Sequence, residues 1–181
     1  MKQRILAAAL GLLIWFSLPL PALAETAAGP TVVTDAEGLL AIAQKPDADY
    51  VLGADIDMRG VDWVPFALDG TLDGAGYTIY NLHIASACEE TRITYDGRHR
   101  GYNTVFAALF SVVRGGVQNL NLLNLTIDLN TDQPCFIAGV AGYLFGGDIT
   151  NCSVEGRLKI VSSARQCGAG GVAGFGRGMI K

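Results

Sequence analysis

Histidine is almost absent from this chain, which contains only two, His83 and His99. No spacing of Ser, His and Asp indicates a nucleophilic triad, and no grouping of His with Cys indicates a metal site. The metalloprotease pattern H-E-x-x-H is absent as well. His83 lies at an outward position of an expected strand, where a single polar residue needs no functional explanation. The sequence therefore predicts no catalytic residue, no metal site and no cofactor.

Positive charge and long apolar segments are also scarce. The chain has 13 Lys and Arg against 17 Asp and Glu, a net charge of −4. A nucleic-acid-binding surface needs an excess of basic residues, so this balance argues against a nucleic-acid partner. After residue 24 no apolar run is long enough for a transmembrane helix, so we expect no membrane span in the mature chain.

The first 24 residues have the three parts of a secretory signal peptide. Lys2 and Arg4 form a positive start, residues 5–16 form an apolar segment, and Ala24 ends an A-x-A cleavage site. Cleavage there leaves 11 basic and 17 acidic residues, a net charge of −6. We expect a bacterial protein that is secreted or lies on the cell surface, with one domain over residues 25–181.

Two short phrases each recur three times. The first has Asn at its third position and covers residues 79–84, 117–122 and 149–154. The second reads G-V-A-G in its last two copies and covers residues 108–111, 139–142 and 171–174. Repeats at this spacing are typical of stacked structural units. Because apolar and polar residues alternate over residues 50–58, the units are expected to be strands of an all-β solenoid.

The apolar pattern of the first phrase changes parity at its Asn. A strand cannot keep both apolar sets inside without a bend, and Asn tolerates the left-handed backbone that a bend requires. We therefore predict corners at Asn81, Asn119 and Asn151, stacked as one ladder of side-chain amides. The first two are 38 residues apart and the last two are 32 apart. This difference predicts an inserted loop at about residues 85–104.

The predicted loop is polar and is the strongest candidate for a ligand-binding surface, because loops carry function more often than repeated strands do. Its basic residues suit an anionic glycan, and its tyrosines suit stacking on sugar rings. The candidate binding residues are Arg92, Tyr95, Arg98, His99, Arg100 and Tyr102. The alternative is a solvated surface loop without a ligand, since insertions at such sites are well tolerated.

Four cysteines, one of them Cys88, follow the predicted signal peptide, and export permits disulfides. Four cysteines allow three complete pairings. Cys135 and Cys167 precede equivalent glycines by the same seven residues, so stacked repeats would place their Cα atoms within disulfide range. We predict a disulfide between them, with two free stacked thiols as the alternative. Cys152 takes the place of a repeat leucine and is expected to be a small core residue.

A capping helix is expected before the strands. Residues 34–37 match the capping box S/T-x-x-E, which predicts a helix from Thr34 to about Gln44. Its apolar face would consist of Ala36, Leu39, Leu40 and Ala43. One short helix ahead of many strands is typical of a cap that covers the end of a solenoid.

Four aspartates are candidate ligands for a calcium site of the kind used by polysaccharide lyases, with Arg59 as the nearest candidate base. Calcium needs six to eight oxygen ligands. However, strand alternation explains two of the carboxylates and Asp-Gly turns explain the other two, and we favour this structural interpretation. The four residues are Asp55, Asp57, Asp69 and Asp73.

The sequence resembles a known repeat family. Residues 72–82, followed by the G-V-A-G tetrads, resemble the GLUG-motif regions of secreted and surface-attached bacterial proteins, which include segments of some immunoglobulin A peptidases and large adhesins. The resemblance covers residues 31–181 and departs from the motif at residues 108–111, where both glycines are replaced. It implies a right-handed parallel β-helix, and it supplies no catalytic residues. Because residues 179–181 would begin another copy of the phrase, we expect the repeat to continue past Lys181.

These observations favour a non-catalytic β-helix that serves as a scaffold or adhesion module outside the cell. The expected partner is a host or cell-wall glycan, or another surface protein. The alternatives are a lyase-like, polysaccharide-active enzyme and a carbohydrate-binding module on the same fold. An enzyme would require Asp with Arg or Lys converging in an outer groove, whereas a scaffold requires only core-filling residues and ladders.

Overall fold

The computed structural model describes residues 29–85, 87–90 and 104–181. A single α-helix, α1 (Ala36–Ala41), is continued by a 3-10 helix (Ile42–Gln44) in this part of the chain. The strands before residue 91 are β1 (Thr31–Val33), β2 (Tyr50–Leu52), β3 (Ile56–Asp57), β4 (Phe66–Leu68), β5 (Thr71–Asp73), β6 (Thr78–Tyr80), β7 (His83–Ile84) and β8 (Cys88–Glu90). Those after residue 103 are β9 (Thr104–Ala107), β10 (Phe110–Val113), β11 (Gly116–Gln118), β12 (Asn121–Thr131), β13 (Cys135–Ile137), β14 (Ala141–Thr150), β15 (Ser153–Ser162), β16 (Cys167–Ala169) and β17 (Ala173–Ile180).

The strands form three sheets. The first sheet has the order β1-β2-β5-β11-β14-β10-β4, with β17 also paired to β14. The second has the order β15-β12-β6-β3, with β7 also on β12, and the third has the order β16-β13-β9-β8. Every pairing is parallel except that of β8 with β9. The prediction of an all-β chain is confirmed, with parallel sheets as its main component.

From β12 onward the chain visits the three sheets in a fixed rotation. It passes through the second sheet at β12, the third at β13 and the first at β14, then repeats this order at β15, β16 and β17. The tetrad phrases form the passage from the third sheet to the first. They stack directly, since Leu109 N donates to Gly139 O at 2.9 Å and Gly139 N donates to Gly171 O at 2.9 Å.

Apolar residues from neighbouring strands stack in columns inside the sheets. Leu72, Val117 and Ile149 are paired in register and are almost completely buried. Because adjacent residues of a strand point to opposite faces, the polar neighbours of this column face outward. Burial of each such apolar side chain contributes about 1.5–3 kcal/mol to folding.

The predicted capping helix is present but begins one residue later than expected. Its N-cap is Asp35 rather than Thr34, and Oδ1 of Asp35 accepts a hydrogen bond from Gly38 N at 2.8 Å. Asp is as good an N-cap as Thr, so the capping-box pattern alone did not fix the start. The core side of the helix carries Leu39 and Ile42, whereas Leu40 is exposed. Ala43, which was also expected on the buried face, is exposed as well.

The predicted corner asparagines all have left-handed backbone, with φ of 58° at Asn81 and 52° at both Asn119 and Asn151. Their stacking differs from the prediction. Because β12 pairs with β6 through Leu122 and Ile79, the neighbour of Asn81 is Asn124, which has a φ of 56°. Asn119 instead follows β11, whose last residue, Gln118, pairs with Asp73 on β5. The three predicted asparagines therefore do not form one ladder.

The strand registers also change the expected length of the insertion. Ile84 pairs with Ile127, and Val105 pairs with Cys135. Ile84 and Val105 are 21 positions apart, whereas their partners Ile127 and Cys135 are 8 apart. The passage from Ile84 to Val105 therefore contains 13 additional residues. The spacing of the asparagines underestimated this difference because Asn81 and Asn119 are not equivalent.

A second apolar cluster, which the sequence did not predict, packs between the first and third sheets. Phe106 and Tyr143 are buried in it, together with Val112. The Phe106 and Phe136 rings stack with centroids 6.0 Å apart, and the Phe136 and Phe175 rings stack at 5.1 Å. This aromatic stack gives the corner a core of its own outside the main columns.

Candidate functional site

A groove lies on the outer face of the first sheet, where β5, β11 and β14 run side by side. The registers align Thr71, Gly116 and Asp148 in one row. They align Asp73, Gln118 and Thr150 in the next. The groove encloses about 220 Å³ and is lined by these six residues and Val117.

The groove exists because the middle strand has glycine where its neighbours have larger residues. Gly116 has no side chain to fill the space between Thr71 and Asp148. Its neighbour Val117 points into the core and is 1% exposed. The wall is therefore polar, with two carboxylates, one amide and two hydroxyls over three parallel strands.

Asp73 is held in place by three donors. Its carboxylate accepts hydrogen bonds from Ala75 N at 2.8 Å, Gln118 Nε2 at 2.8 Å and Asn119 Nδ2 at 3.0 Å. Burial acts to raise the pKa of Asp73, but the bonds from Asn119, Ala75 and Gln118 outweigh it and the net pKa is lowered. Asp73 is therefore ionised at neutral pH, with its oxygens directed to protein donors.

Asp148 differs from Asp73 in that its carboxylate is exposed, and no residue of the described ranges donates to it. It lies across Gly116 from the hydroxyl of Thr71. Thr71 Oγ1 is itself bonded to Asp49 Oδ1 at 2.6 Å. Asp148 is thus the acceptor in the groove that is available to a ligand, with Gln118 and Thr150 beside it. Hydroxyl groups of a saccharide are donors and acceptors of the matching kind.

The structure does not bring together the four aspartates that are candidate calcium ligands. Asp55 accepts from Thr78 N at 2.8 Å, and Asp69 accepts from Arg114 Nη1 at 2.7 Å. Asp57 and Asp73 each bond to a corner asparagine. No group of three His, Cys, Asp or Glu residues capable of holding a metal occurs within residues 29–85, 87–90 and 104–181.

Asp57 begins one of two polar columns on the outside of the sheets. Its Oδ1 accepts from Asn81 Nδ2 at 2.9 Å, and Asn124 Nδ2 lies 3.5 Å from Asn81 Oδ1. Its pKa is lowered first by the bond from Asn81 and next by the bond from Arg59 N. The guanidinium of Arg59, the candidate base, forms only a 3.8 Å ion pair with Asp57 and is largely exposed.

The second column begins at Asp73 and continues through Asn119 to Asn151. Asn151 Nδ2 donates to Asn119 Oδ1 at 2.9 Å, and Asn119 Nδ2 donates to Asp73 Oδ1. No pattern in the sequence indicates that an aspartate starts each column. The Asp-Gly pair at residues 73–74 predicts a turn, and its carboxylate also accepts a hydrogen bond from the corner residue Asn119.

The predicted loop site lies outside the described residues, as does the predicted signal peptide. This applies to all six loop candidates, Arg92, Tyr95, Arg98, His99, Arg100 and Tyr102. The other histidine, His83, is exposed on β7, as expected. No helix in the described part of the chain has the length and apolar character needed to cross a membrane.

The predicted disulfide is not formed in this structure, although the two cysteines are neighbours. Cys135 and Cys167 pair in register on adjacent strands, with their Sγ atoms 2.8 Å apart as free thiols. Burial, with the Cys167 contact, raises the pKa of Cys135 to about 12. Burial also acts to raise the pKa of Cys167, but hydrogen bonds from Cys135 and Ser162 lower it overall. Cys152 is partly buried against the core, as expected.

The chain matches no protein-family model and has no significant match among characterised proteins. Among solved structures, it is similar to a protein from Bacteroides ovatus that has been proposed to be an immunoglobulin A1 protease. The sequence identity is 20% and the TM-score is 0.49, over 83% of this chain and 55% of that protein. The chain thus spans about half the length of this structural neighbour.

Proposed function

We propose that this chain is a right-handed parallel β-helix of the GLUG-motif type, exported by its signal peptide, which serves as a non-catalytic scaffold or adhesion module at the cell surface. From β12 onward the chain passes through the three sheets in a fixed order with parallel pairing, which supports the β-helical arrangement. The predicted signal sequence and the resemblance of the repeats support the location. The expected partner is a glycan or another surface protein.

One observation carries the proposal for a scaffold. Several carboxylates on the outer face are already used to join neighbouring strands, whereas Asp148 in the groove is not. Asp57 and Asp73 hold corner asparagines, and Asp49 holds the backbone and hydroxyl of Thr71. A carboxylate with two or three protein donors is a poor proton acceptor, because those donors favour its ionised form.

Carbohydrate binding is a second candidate, supported by the groove around Gly116. The exposed carboxylate of Asp148 lies beside the hydroxyl of Thr150 and the amide oxygen of Gln118 on two neighbouring strands, an arrangement that suits the hydroxyls of an extended saccharide. A lyase is less well supported, since the lining of this groove contains neither Arg nor Lys to act as a base.

The test measures binding and turnover on the same samples. The purified protein is incubated with insoluble polysaccharides and isolated cell walls, and both the retained protein and the released sugar ends are quantified. We expect retention on at least one surface without release of sugar ends. Release of new sugar ends that scales with protein concentration would contradict the non-catalytic proposal. Retention on none of them, with no binding to intact cells, would contradict the adhesion role.

The groove is tested by a matched pair of variants. Asp148→Ala removes its available carboxylate, whereas Asp128→Ala removes an exposed carboxylate from the second sheet that bonds only to Lys159. If the groove binds saccharide, Asp148→Ala lowers retention and Asp128→Ala does not. Equal retention of both variants would exclude the groove as the binding surface.

A further inference from the structure

The groove around Gly116 carries negative charge. Asp73 is ionised at neutral pH and Asp148 is exposed, whereas the described residues that line the groove include neither Arg nor Lys. A third carboxylate lies directly behind the wall, because Asp49 Oδ1 accepts hydrogen bonds from the backbone nitrogen and the hydroxyl of Thr71. Charges of one sign around a cleft act together on a ligand, so the groove favours a cation over an anion.

The neighbouring cations do not cancel this charge. The guanidinium of Arg114 is bonded to Asp69 at 2.7 Å, so this pair is balanced within itself. Lys181 directly follows β17 and lies one strand beyond Thr150, outside the lining of the groove. Three carboxylates against this one lysine leave the groove negative.

An exposed aromatic ring lies beside the groove on the same strand. Phe145 precedes Asp148 by three residues on β14 and is 43% exposed, although Cζ of Arg177 lies 5.8 Å from the ring centroid. Three residues span at most about 11 Å, which is close to the length of two linked pyranose rings. An aromatic ring next to a polar groove suits a sugar, since a pyranose has apolar faces and a polar edge.

The space between the ring and the groove contains no side chain. A Cβ on Gly146 would meet no described atom within 4 Å, and a Cβ on Gly116 would meet only Asp148 O, at 3.4 Å. The three strands of the groove are inner strands of the first sheet, since β5 also pairs with β2 and β14 also pairs with β17. The groove thus opens to the side of the strand stack rather than to either end.

We infer, on the basis of the carbohydrate binding proposed for this groove, that its ligand is a glycan with free amino groups, such as a polymer of de-N-acetylated hexosamine. One ring lies over Gly116, where its ammonium group pairs with Asp148 and its hydroxyls bond to Gln118 and Thr150. The adjoining ring stacks on the exposed part of Phe145. A uronate polymer is repelled by the same carboxylates, and a neutral glycan lacks the ion pair.

The test compares three oligosaccharides of the same linkage and different charge. They are the β-1,4-linked hexamers of glucosamine, glucose and glucuronate, which are positive, neutral and negative. Isothermal titration calorimetry at low salt should give the glucosamine hexamer a dissociation constant about three- to fivefold below that of the glucose hexamer, as expected for an exposed ion pair. The glucuronate hexamer should bind most weakly. Added salt should reduce the differences.

Two variants separate the charge from the stacking. Asp148→Asn keeps the size of the side chain and should remove most of the preference for glucosamine, with the binding of the glucose hexamer changed by less than about twofold. Phe145→Ala should weaken the glucosamine and glucose hexamers alike, by about three- to tenfold. The control is Asp128→Asn, which removes an exposed carboxylate from the second sheet and should change neither. Circular dichroism verifies that all variants are folded.

The outcomes distinguish this ligand from carbohydrate binding in general. Equal affinity for the glucosamine and glucose hexamers would overturn the inference and leave carbohydrate binding in place, as would tightest binding of the glucuronate hexamer. A preference that Asp128→Asn lowers as much as Asp148→Asn would also overturn it, because the attraction would then be to the acidic protein as a whole. Binding of none of the hexamers would overturn the carbohydrate-binding function of the groove itself.

Discussion

Asn151 donates from Nδ2 to Oδ1 of Asn119 over 2.9 Å, although the two residues are 32 positions apart in the sequence. Both residues have a φ of 52°, and Nδ2 of Asn119 in turn donates to Oδ1 of Asp73. One residue type thus provides both the left-handed corner and the polar link between neighbouring strands. These two contributions can be separated by substitution.

Asn119→Gly should lower the free energy of unfolding by about 1–2 kcal/mol, because it removes the amide and leaves a backbone that tolerates positive φ. Asn119→Ala should cost about 1–2 kcal/mol more, because it adds the strain of the left-handed conformation. Urea denaturation of both variants measures the two effects. Equal stability of the Gly and Ala variants would show that the corner conformation contributes nothing.

The adjacent glycines 115 and 116 should respond very differently to alanine. A Cβ on Gly115 would collide with the carbonyl oxygen of Gly70, which lies between β4 and β5, so we expect Gly115→Ala to cost about 3 kcal/mol or more. A Cβ on Gly116 would meet only Asp148 O, at 3.4 Å. Gly116→Ala should therefore change stability by less than about 0.5 kcal/mol, as measured by thermal unfolding. A severe effect at Gly116 would contradict the described register.

Asp73 should make stability depend on acid. Its folded pKa lies below the ordinary value of 3.8, so its stabilising bonds are complete above that value and are lost as the pH falls through the folded pKa. Asp73→Asn should be less stable than the unchanged protein at pH 7, and the difference should shrink as the pH falls. Denaturation curves measured from neutral to strongly acidic pH test this. A difference that is constant with pH would rule out the role of the ionised carboxylate.

The paired thiols should react unequally in the reduced protein. Cys167 is exposed and its pKa is lowered, whereas Cys135 is buried and its pKa is raised to about 12. At neutral pH iodoacetamide should therefore label Cys167 well before Cys135, since the thiolate is the reactive form. Peptide mapping by mass spectrometry measures the two rates, with Cys167→Ser as the control. Faster labelling of Cys135 would contradict the described arrangement.

The corners were predictable from the sequence because they depend on local geometry. The parity change around Asn81 requires a bend, and Asn is suited to the left-handed backbone found there. Their partners were not predictable. Asn119 and Asn124 both follow apolar residues at the right spacing, and only the hydrogen-bonded register shows that Asn124 lies beside Asn81. Which of these two asparagines lies beside Asn81 depends on the number of residues inserted between Ile84 and Val105.

The groove was hidden from sequence analysis for a similar reason. Its two rows join residues from three strands, with Thr71 and Asp148 on either side of Gly116. None of these residues belongs to a recognisable motif. Strand alternation predicts that each of these side chains points outward. Only the registers of β5, β11 and β14 show that the side chains lie close together.

The helix at the N-terminal end also bears on how the chain acquires its structure. Most strands of the described stack pair with one that lies earlier in the sequence, as β15 pairs with β12 and β12 with β6. A polypeptide that emerges from a membrane pore with its N-terminus first would thus present the closed end first. Each later strand would then pair with a strand that has already formed. Folding could therefore proceed in the direction of emergence without long searches for distant partners.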